Sequence, residues 1–377
     1  MTQICTNRGS SATQYKDWIQ ATQYWVWTLT TIGGLGNLLT ILVILHQLCI
    51  GYAWKHRPRG SLKRQGSNFH VEKPVLPFEG HTLLLLHLSF CDLLYATVSL
   101  PLTATAYGYA LDGATQELEG LCPVAAFLRY TNALAEWLTL GLLAFQRCVD
   151  LGRWRSARFF QPAATGALIA GIWVVSVALQ LLPFAVSGYG YSCENFKCDV
   201  TNDVLKFIFY ALQSLLPCIL MFSGCIGLLY QLRKYTKEME NMKLVSNVSR
   251  KRLVKSSILV LSLLLLFLIC VVPICIHNLI PKSAISPDIH IPTGIAFYKI
   301  YWLQYALNFM LYNIMSANFR SAYRRFFSLL FPCCCSPVGD SGNISNIPVS
   351  QSCISDTQRE NLSVSTQSDF RGTATRF

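Results

Sequence analysis

Gln146-Arg147-Cys148 closes residues 120–148, a mostly apolar run of membrane-spanning length. A bilayer span takes roughly 20 predominantly apolar residues. An ionisable group inside one is expensive to keep there, so a functional reason is the first reading for Arg147. Working outward, Leu88-Ser89-Phe90-Cys91-Asp92 sets a carboxylate in a second run, and Asn308-Phe309-Met310-Leu311-Tyr312 sets an amide and a phenol in a third. Seven runs qualify: 24–49, 80–107, 120–148, 161–185, 203–231, 253–280 and 293–316. Composition agrees, with 52% of the 377 residues apolar and 13% charged, against about 25% charged in a soluble domain. The expectation is an all-α membrane protein, a seven-transmembrane helix bundle with a short amphipathic juxtamembrane eighth helix.

The net charge of +12 raises nucleic acid as a partner, but its distribution excludes it. Lys55, Arg57, Arg59, Lys63 and Arg64 lie between runs one and two, Arg153, Arg155 and Arg158 follow run three, and Arg250-Lys251-Arg252 precede run six. Arg320, Arg324 and Arg325 follow run seven, whereas Asp112, Glu117, Glu119, Glu194, Asp199, Asp203 and Asp288 fall on the other side. The positive-inside rule then predicts an extracellular N-terminus at 1–23, the seven-transmembrane domain at 24–316, the amphipathic helix at 317–330 and a disordered cytoplasmic tail at 331–377. Residues 1–23 show no cleavable signal peptide, so the first run is read as a signal anchor. Of the 15 cysteines, Cys5, Cys122, Cys193 and Cys198 fall on the oxidising side. Cys333, Cys334 and Cys335 follow the basic-aromatic helix at the inner surface, an arrangement suited to palmitoylation. The sequons at Asn247, Asn343 and Asn361 fall on the cytoplasmic side, so N-glycosylation is not expected.

Arg147 lies 25 residues (147 − 122) after Cys122, about 37 Å along a helix and enough to cross the bilayer with a tilt. The same separation recurs in rhodopsin-like receptors between a disulfide cysteine and the cytoplasmic arginine. Gly36-Asn37, Asp92, Trp173, Pro217, Pro273, Asn308, Tyr312 and Phe319 extend the pattern through the other runs. The chain resembles the class A (rhodopsin-like) G-protein-coupled receptors, and within them a melatonin-receptor-like orphan branch, through Trp302-Leu303-Gln304 and Phe196-Lys197-Cys198-Asp199-Val200.

That resemblance implies a multi-pass plasma-membrane receptor whose partners are a heterotrimeric G protein and, after phosphorylation of tail residues such as Ser363, Ser365, Thr366 and Ser368, arrestin. It implies a disulfide from Cys122 to an outer-loop cysteine, Cys198 in preference to Cys193. It gives Gln146, Arg147 and Tyr312 to G-protein coupling, with span six swinging about Pro273. Arg250-Lys251-Arg252 would meet the G protein or anionic membrane lipids, with solvated snorkelling as the plain alternative. The departures are Gln146 for an acid, Cys148 for an aromatic, Phe309 for a proline, Cys225 for a tyrosine, and no tryptophan in Cys270-Val271-Val272-Pro273. Without an acid beside Arg147 the resting state is less locked, which predicts raised basal signalling. The same losses fit an atypical receptor with little G-protein coupling, acting as scavenger, arrestin-biased receptor or heteromer partner.

Arg129 lies 18 residues (147 − 129) before Arg147, five helical turns away on the same face. Amine receptors carry an aspartate there; an arginine reverses the attraction and favours a carboxylate or phosphate ligand. The alternative is an internal partner, such as Asp203, Glu194 or a backbone carbonyl. Tyr130, Lys206, Tyr210, His277, Asn278, Tyr298 and Trp302 would line the same pocket, a mix suited to a small anionic or lipid-like molecule, although core packing explains the aromatics equally well. Deeper in, the resemblance places Asp92 and Glu136 at an internal ion pocket with Gln304 and Asn308. Two carboxylates in one low-dielectric site call for a sodium ion between them or a proton on one, unless the group is only a polar packing network. No other cofactor is expected. No nucleophile–base pair or metal-ligand spacing marks an enzyme, no inverted repeat marks a transporter, and Lys299 is three residues from the retinal-lysine position at Trp302.

Overall fold

The computed structural model of the chain describes residues 14–55, 74–152, 155–192, 196–241, 248–280 and 286–330. Seven long helices run through these residues. They are α1 (Lys16–Lys55), α2 (Gly80–Leu94 and Leu100–Asp112, joined by a π turn at Tyr95–Ser99), α3 (Thr115–Gly152) and α4 (Pro162–Ala185). Then come α5 (Asp203–Tyr210 and Leu216–Asn241, joined by a π turn at Ala211–Leu215), α6 (Val248–Leu279) and α7 (Pro287–Tyr301 and Leu303–Met315, with an irregularity at Trp302). A shorter α8 spans Ala317–Leu330. Strands β1 (Tyr189–Ser192) and β2 (Lys197–Val200) form an antiparallel hairpin between α4 and α5.

The helix ends follow local chemistry. Pro162 and Pro287 occupy first turns, where a missing N–H costs nothing. Asn202 caps α5 by accepting the Val204 and Leu205 N–H groups at 3.1 Å each. Gly113, at φ 72°, ends α2 in the left-handed region. Both π turns precede a proline, Pro101 and Pro217. In each, the carbonyl four residues earlier, Thr97 or Gln213, has no proline N–H to receive, and the widened turn accommodates it.

Among the described residues, five helices are long and apolar enough to cross a membrane on length and composition alone: α1, α2, α4, α5 and α6. The third is diluted by Arg129, Glu136 and Arg147, and the seventh is interrupted at Trp302. Large apolar side chains point outward along these helices, including Leu35 on α1, Val174 on α4, Phe222 on α5 and Ile269 on α6. Such a surface suits lipid rather than water.

Polar contacts hold the helices in register. The Trp173 indole of α4 donates to His87 Nε2 of α2 at 2.7 Å, and His87 Nδ1 meets Thr139 Oγ1 of α3 at 2.8 Å. Thr139 in turn donates to the Ala135 carbonyl, so Nδ1 carries the imidazole proton. Asn37 of α1 donates to the Gly33 and Tyr305 carbonyls, both at 2.9 Å, tying α1 to α7. Beside it, a Cβ on Gly36 would come within 2.3 Å of the Phe309 ring, so only glycine leaves that ring its seat. The amphipathic α8 buries Phe319, Ala322 and Tyr323. Its Arg320 donates to the Asn313 and Ile314 carbonyls, at 3.2 and 2.7 Å, satisfying acceptors near the end of α7.

Candidate functional site

The cavity begins with the hairpin. Cys198 of β2 is disulfide-bonded to Cys122 of α3, which pins the hairpin across one end of the bundle. Lys197 and Asp199 flank Cys198 and share a strand face, and both are buried. Lys197 Nζ lies 3.0 Å from Asp199 Oδ2 and 3.6 Å from the centre of the Tyr298 ring. The Tyr130 hydroxyl donates to Asp199 Oδ1. Arg129 Nη2 is 3.8 Å from that oxygen and donates to the Cys198 carbonyl at 2.7 Å. Burial works against the Asp199 charge, but Lys197 and Arg129 more than offset it and hold the carboxyl well below the usual range. Burial brings the Lys197 ammonium down to about 7 although Asp199 opposes the shift.

Below this cluster lies a cavity of about 420 Å³ between α3, α5, α6, α7 and the hairpin. Its charged wall carries Arg129, Lys197, Lys206 and Asp199, three cationic side chains against one carboxylate. Leu134, Trp137, Val271 and Ile274 line an apolar part. Trp137 is eight residues along α3 from Arg129, about 12 Å deeper. The space is charged at one end and apolar at the other.

Midway along the bundle, Asn308 Nδ2 donates to Asp92 Oδ2 at 2.9 Å. Glu136 lies close to Asp92, with Tyr305 beside it. Two neighbouring carboxyls buried in a low-dielectric site call for a proton on one or a cation between them. Asp92 Oδ1, Glu136 Oε2 and both amide atoms of Gln304 are buried without a partner. Those oxygens suit a small hard cation. Among the described residues no cluster of three or more metal-ligating side chains occurs.

At the far end, Arg147 Nη1 donates to Asp150 Oδ2 at 3.2 Å, one turn later on α3. Gln146 is buried with its Oε1 unpartnered. Nearby, Ser256 Oγ of α6 and His81 Nε2 of α2 are 2.9 Å apart, which holds this end of α6 against the bundle. Tyr312 is fully buried and stacks on Phe319 of α8 at 5.2 Å.

Residues 80–317 match the family described as 7 transmembrane receptor (rhodopsin family). The chain belongs to that family. This receptor is 23% identical to "Protein trapped in endoderm-1" of Drosophila melanogaster over 331 residues, covering 80% of this chain and 75% of that protein. It is 25% identical to galanin receptor type 1 of Rattus norvegicus, covering 74% and 82%, and 22% identical to melatonin receptor type 1B-B of Danio rerio, covering 80% of each. Galanin and melatonin receptors are thus similar to it at comparable distance, and the melatonin-like branch stays a resemblance. Squid rhodopsin shares the fold, with a TM-score of 0.59 and 16% identity over 88% of this chain and 90% of that one. The family's members are receptors, not enzymes.

In this receptor, Arg129, Tyr130, Lys206, Tyr210, Asn278, Tyr298 and Trp302 all line the one cavity. His277 does not; it packs behind the lining residue His290, with ring centres 4.3 Å apart. Among the described residues Arg129 has Asp199 as its acidic partner and the Cys198 carbonyl as a backbone acceptor; Glu194 and the Asp203 side chain lie outside the described residues. In the sequence Lys197 is a branch marker and Asp199 both a branch marker and an outer-side acid, and their alternation about Cys198 already puts them on one face. Arg147 pairs with Asp150 rather than Gln146, a partner signalled by three-residue helical spacing. Cys5, Cys193 and Cys333–Cys335 lie outside the described residues, as do the tail phosphorylation sites.

Proposed function

We propose that the receptor answers a small amphipathic organic acid from the extracellular side and passes the signal to a heterotrimeric G protein. The observation that carries this reading is the cavity wall: Arg129, Lys197 and Lys206 against the single carboxylate of Asp199, at one end of an apolar space. A carboxylate there would gain charge-assisted hydrogen bonds, and its hydrocarbon part would reach toward Trp137 and Val271. The basic loops at the opposite end support an extracellular cavity and a cytoplasmic C-terminus in the plasma membrane. Arg147 and Tyr312 would serve coupling when α6 leaves its seat at His81. Arrestin binding, palmitoylation at Cys333, Cys334 and Cys335 and contact with anionic lipids complete the reading.

Asp150 is the restraint on Arg147. Its side chain is 27% exposed, so the pair is screened and weak, which keeps the basal signal raised. In this reading the neutralising partner of the two buried mid-bundle carboxyls is a proton rather than sodium. Second-messenger and arrestin assays in expressing cells test the function, using straight-chain and aromatic carboxylates beside their amides and alcohols. Acids active in cyclic AMP, with neutral analogues silent, support it. Activity of neutral analogues alone defeats the anion reading. Acids that recruit arrestin with no cyclic AMP response would establish the atypical receptor instead, which Cys225 and Phe309 favour.

A further inference from the structure

Cys218 of α5 and Cys275 of α6 bring their sulfurs to 3.7 Å across the interface of the two helices. Each stands beside a proline, Cys218 directly after Pro217 and Cys275 two residues after Pro273. Both side chains are buried, yet Cys275 lines the cavity, so a small solute that enters can reach it. No other two free cysteines among the described residues have sulfurs in hydrogen-bonding contact. A disulfide needs the sulfurs at about 2.04 Å, and the remaining gap is within reach of side-chain rotation. The same end of the bundle carries the Cys122–Cys198 disulfide, as expected of a region that matures under oxidising conditions.

We propose that Cys218 and Cys275 are a reversible redox-modification site, closed to a disulfide by hydrogen peroxide that enters through the cavity. The proposal rests on the extracellular placement of that cavity. The Cys275 sulfur attacks one peroxide oxygen, the O–O bond breaks, and water leaves behind a sulfenic acid. The Cys218 sulfur then displaces the hydroxyl as a second water, so two thiols are oxidised and one peroxide is reduced to two waters. A small thiol reverses the bond by exchange through a mixed disulfide. The Tyr210 hydroxyl already donates to the Cys275 carbonyl at this level. The new bond would add a covalent tie from α5 to α6 beside Pro273, restricting both the cavity wall and the swing of α6.

The test treats membranes holding the full-length receptor with hydrogen peroxide, blocks remaining thiols by alkylation, and maps linked peptides by mass spectrometry. The expected result is a peptide joining Cys218 to Cys275, abolished by prior reduction, with the Cys122–Cys198 peptide as internal control. Oxidation should also raise the unfolding temperature of wild type, and the shift should be lost in Cys275→Ser. Alkylation of both thiols while the control peptide is present overturns the site and leaves the outward orientation standing. Loss of the control peptide as well overturns the orientation and the proposal with it. Because the peptide map uses wild type, a poorly folding variant does not blunt the result.

Discussion

Asp150 follows Arg147 by one helical turn and holds its guanidinium at 3.2 Å, while Gln146, the residue before the arginine, leaves its own side-chain oxygen unpartnered. The acid that pairs with the arginine stands three residues after it, where the family resemblance expects one directly before it. An ion pair of this exposure contributes about 0.5–1 kcal/mol. Asp150→Asn should therefore raise ligand-free signalling by roughly two- to fivefold at matched surface expression, if the pair belongs to the resting state. Gln146→Asp should lower it. An unchanged basal signal in Asp150→Asn would show that the pair is not the restraint.

Lys197 gives the cavity a pH dependence of known sign. It faces the Asp199 carboxylate, the Arg129 and Lys206 cations and the Tyr130 and Tyr298 rings. Burial brings it to about 7 from 10.5, so the ammonium is present below that pH and lost above it. Potency of an acid agonist should fall as pH rises through about 7, and Lys197→Met should flatten the profile. Stability moves the other way. Above about 7 the folded chain sheds this proton while the unfolded chain keeps it until 10.5, so Lys197 adds stability as pH climbs across that window. Potency independent of pH in wild type would remove Lys197 from the ligand contacts. Arg129→Gln should cost 10-fold or more in potency, roughly the loss of one charge-assisted hydrogen bond. Asp199 keeps Lys197 and Tyr130 as partners, so the variant should still reach the surface.

Phe309 stands where the family resemblance expects proline, and Gly36 explains how α7 accommodates it. A methyl group at position 36 would meet the ring at 2.3 Å. Overpacking of this kind costs about 1–3 kcal/mol, so Gly36→Ala should lower the unfolding temperature measurably in detergent. Phe309→Leu introduced alongside should recover part of the loss. Equal unfolding temperatures for wild type and Gly36→Ala would mean that the ring has another seat.

The helices were legible because apolar length is a local property that a bilayer enforces, and the Cys122–Cys198 disulfide because the resemblance supplied its spacing. The π turns at Tyr95–Ser99 and Ala211–Leu215 were not anticipated, since the only sequence trace is a proline just beyond each. For Arg129 the sequence leaves a ligand anion and an internal partner open, and Asp199 is an acid it does not single out for that role. Which loop carboxylate turns inward depends on hairpin register, and register here follows from where Cys198 is pinned. His277 carried the right chemistry for the cavity yet lies one ring behind it, because His290 of α7 takes the front position.

Asp92 and Glu136 distinguish a proton from a sodium ion. One proton shared by the two neighbouring carboxyls would neutralise half of their charge, with Asn308 satisfying Asp92 from the other side at 2.9 Å. With that proton in place the pair would carry a net single charge, and sodium would gain less than between two bare carboxylates. The unfolding temperature of the purified receptor should therefore be the same in sodium chloride and in choline chloride at equal ionic strength. Glu136→Gln keeps a hydrogen-bond donor toward Asp92 and should preserve both stability and sodium indifference. Asp92→Asn removes the remaining charge and should blunt signalling, with the folded fraction little changed. A saturable rise with sodium in wild type, abolished by Glu136→Gln, would instead identify both carboxylates as ligands of the ion. The partnerless oxygens of Asp92, Glu136 and Gln304 would then be its shell.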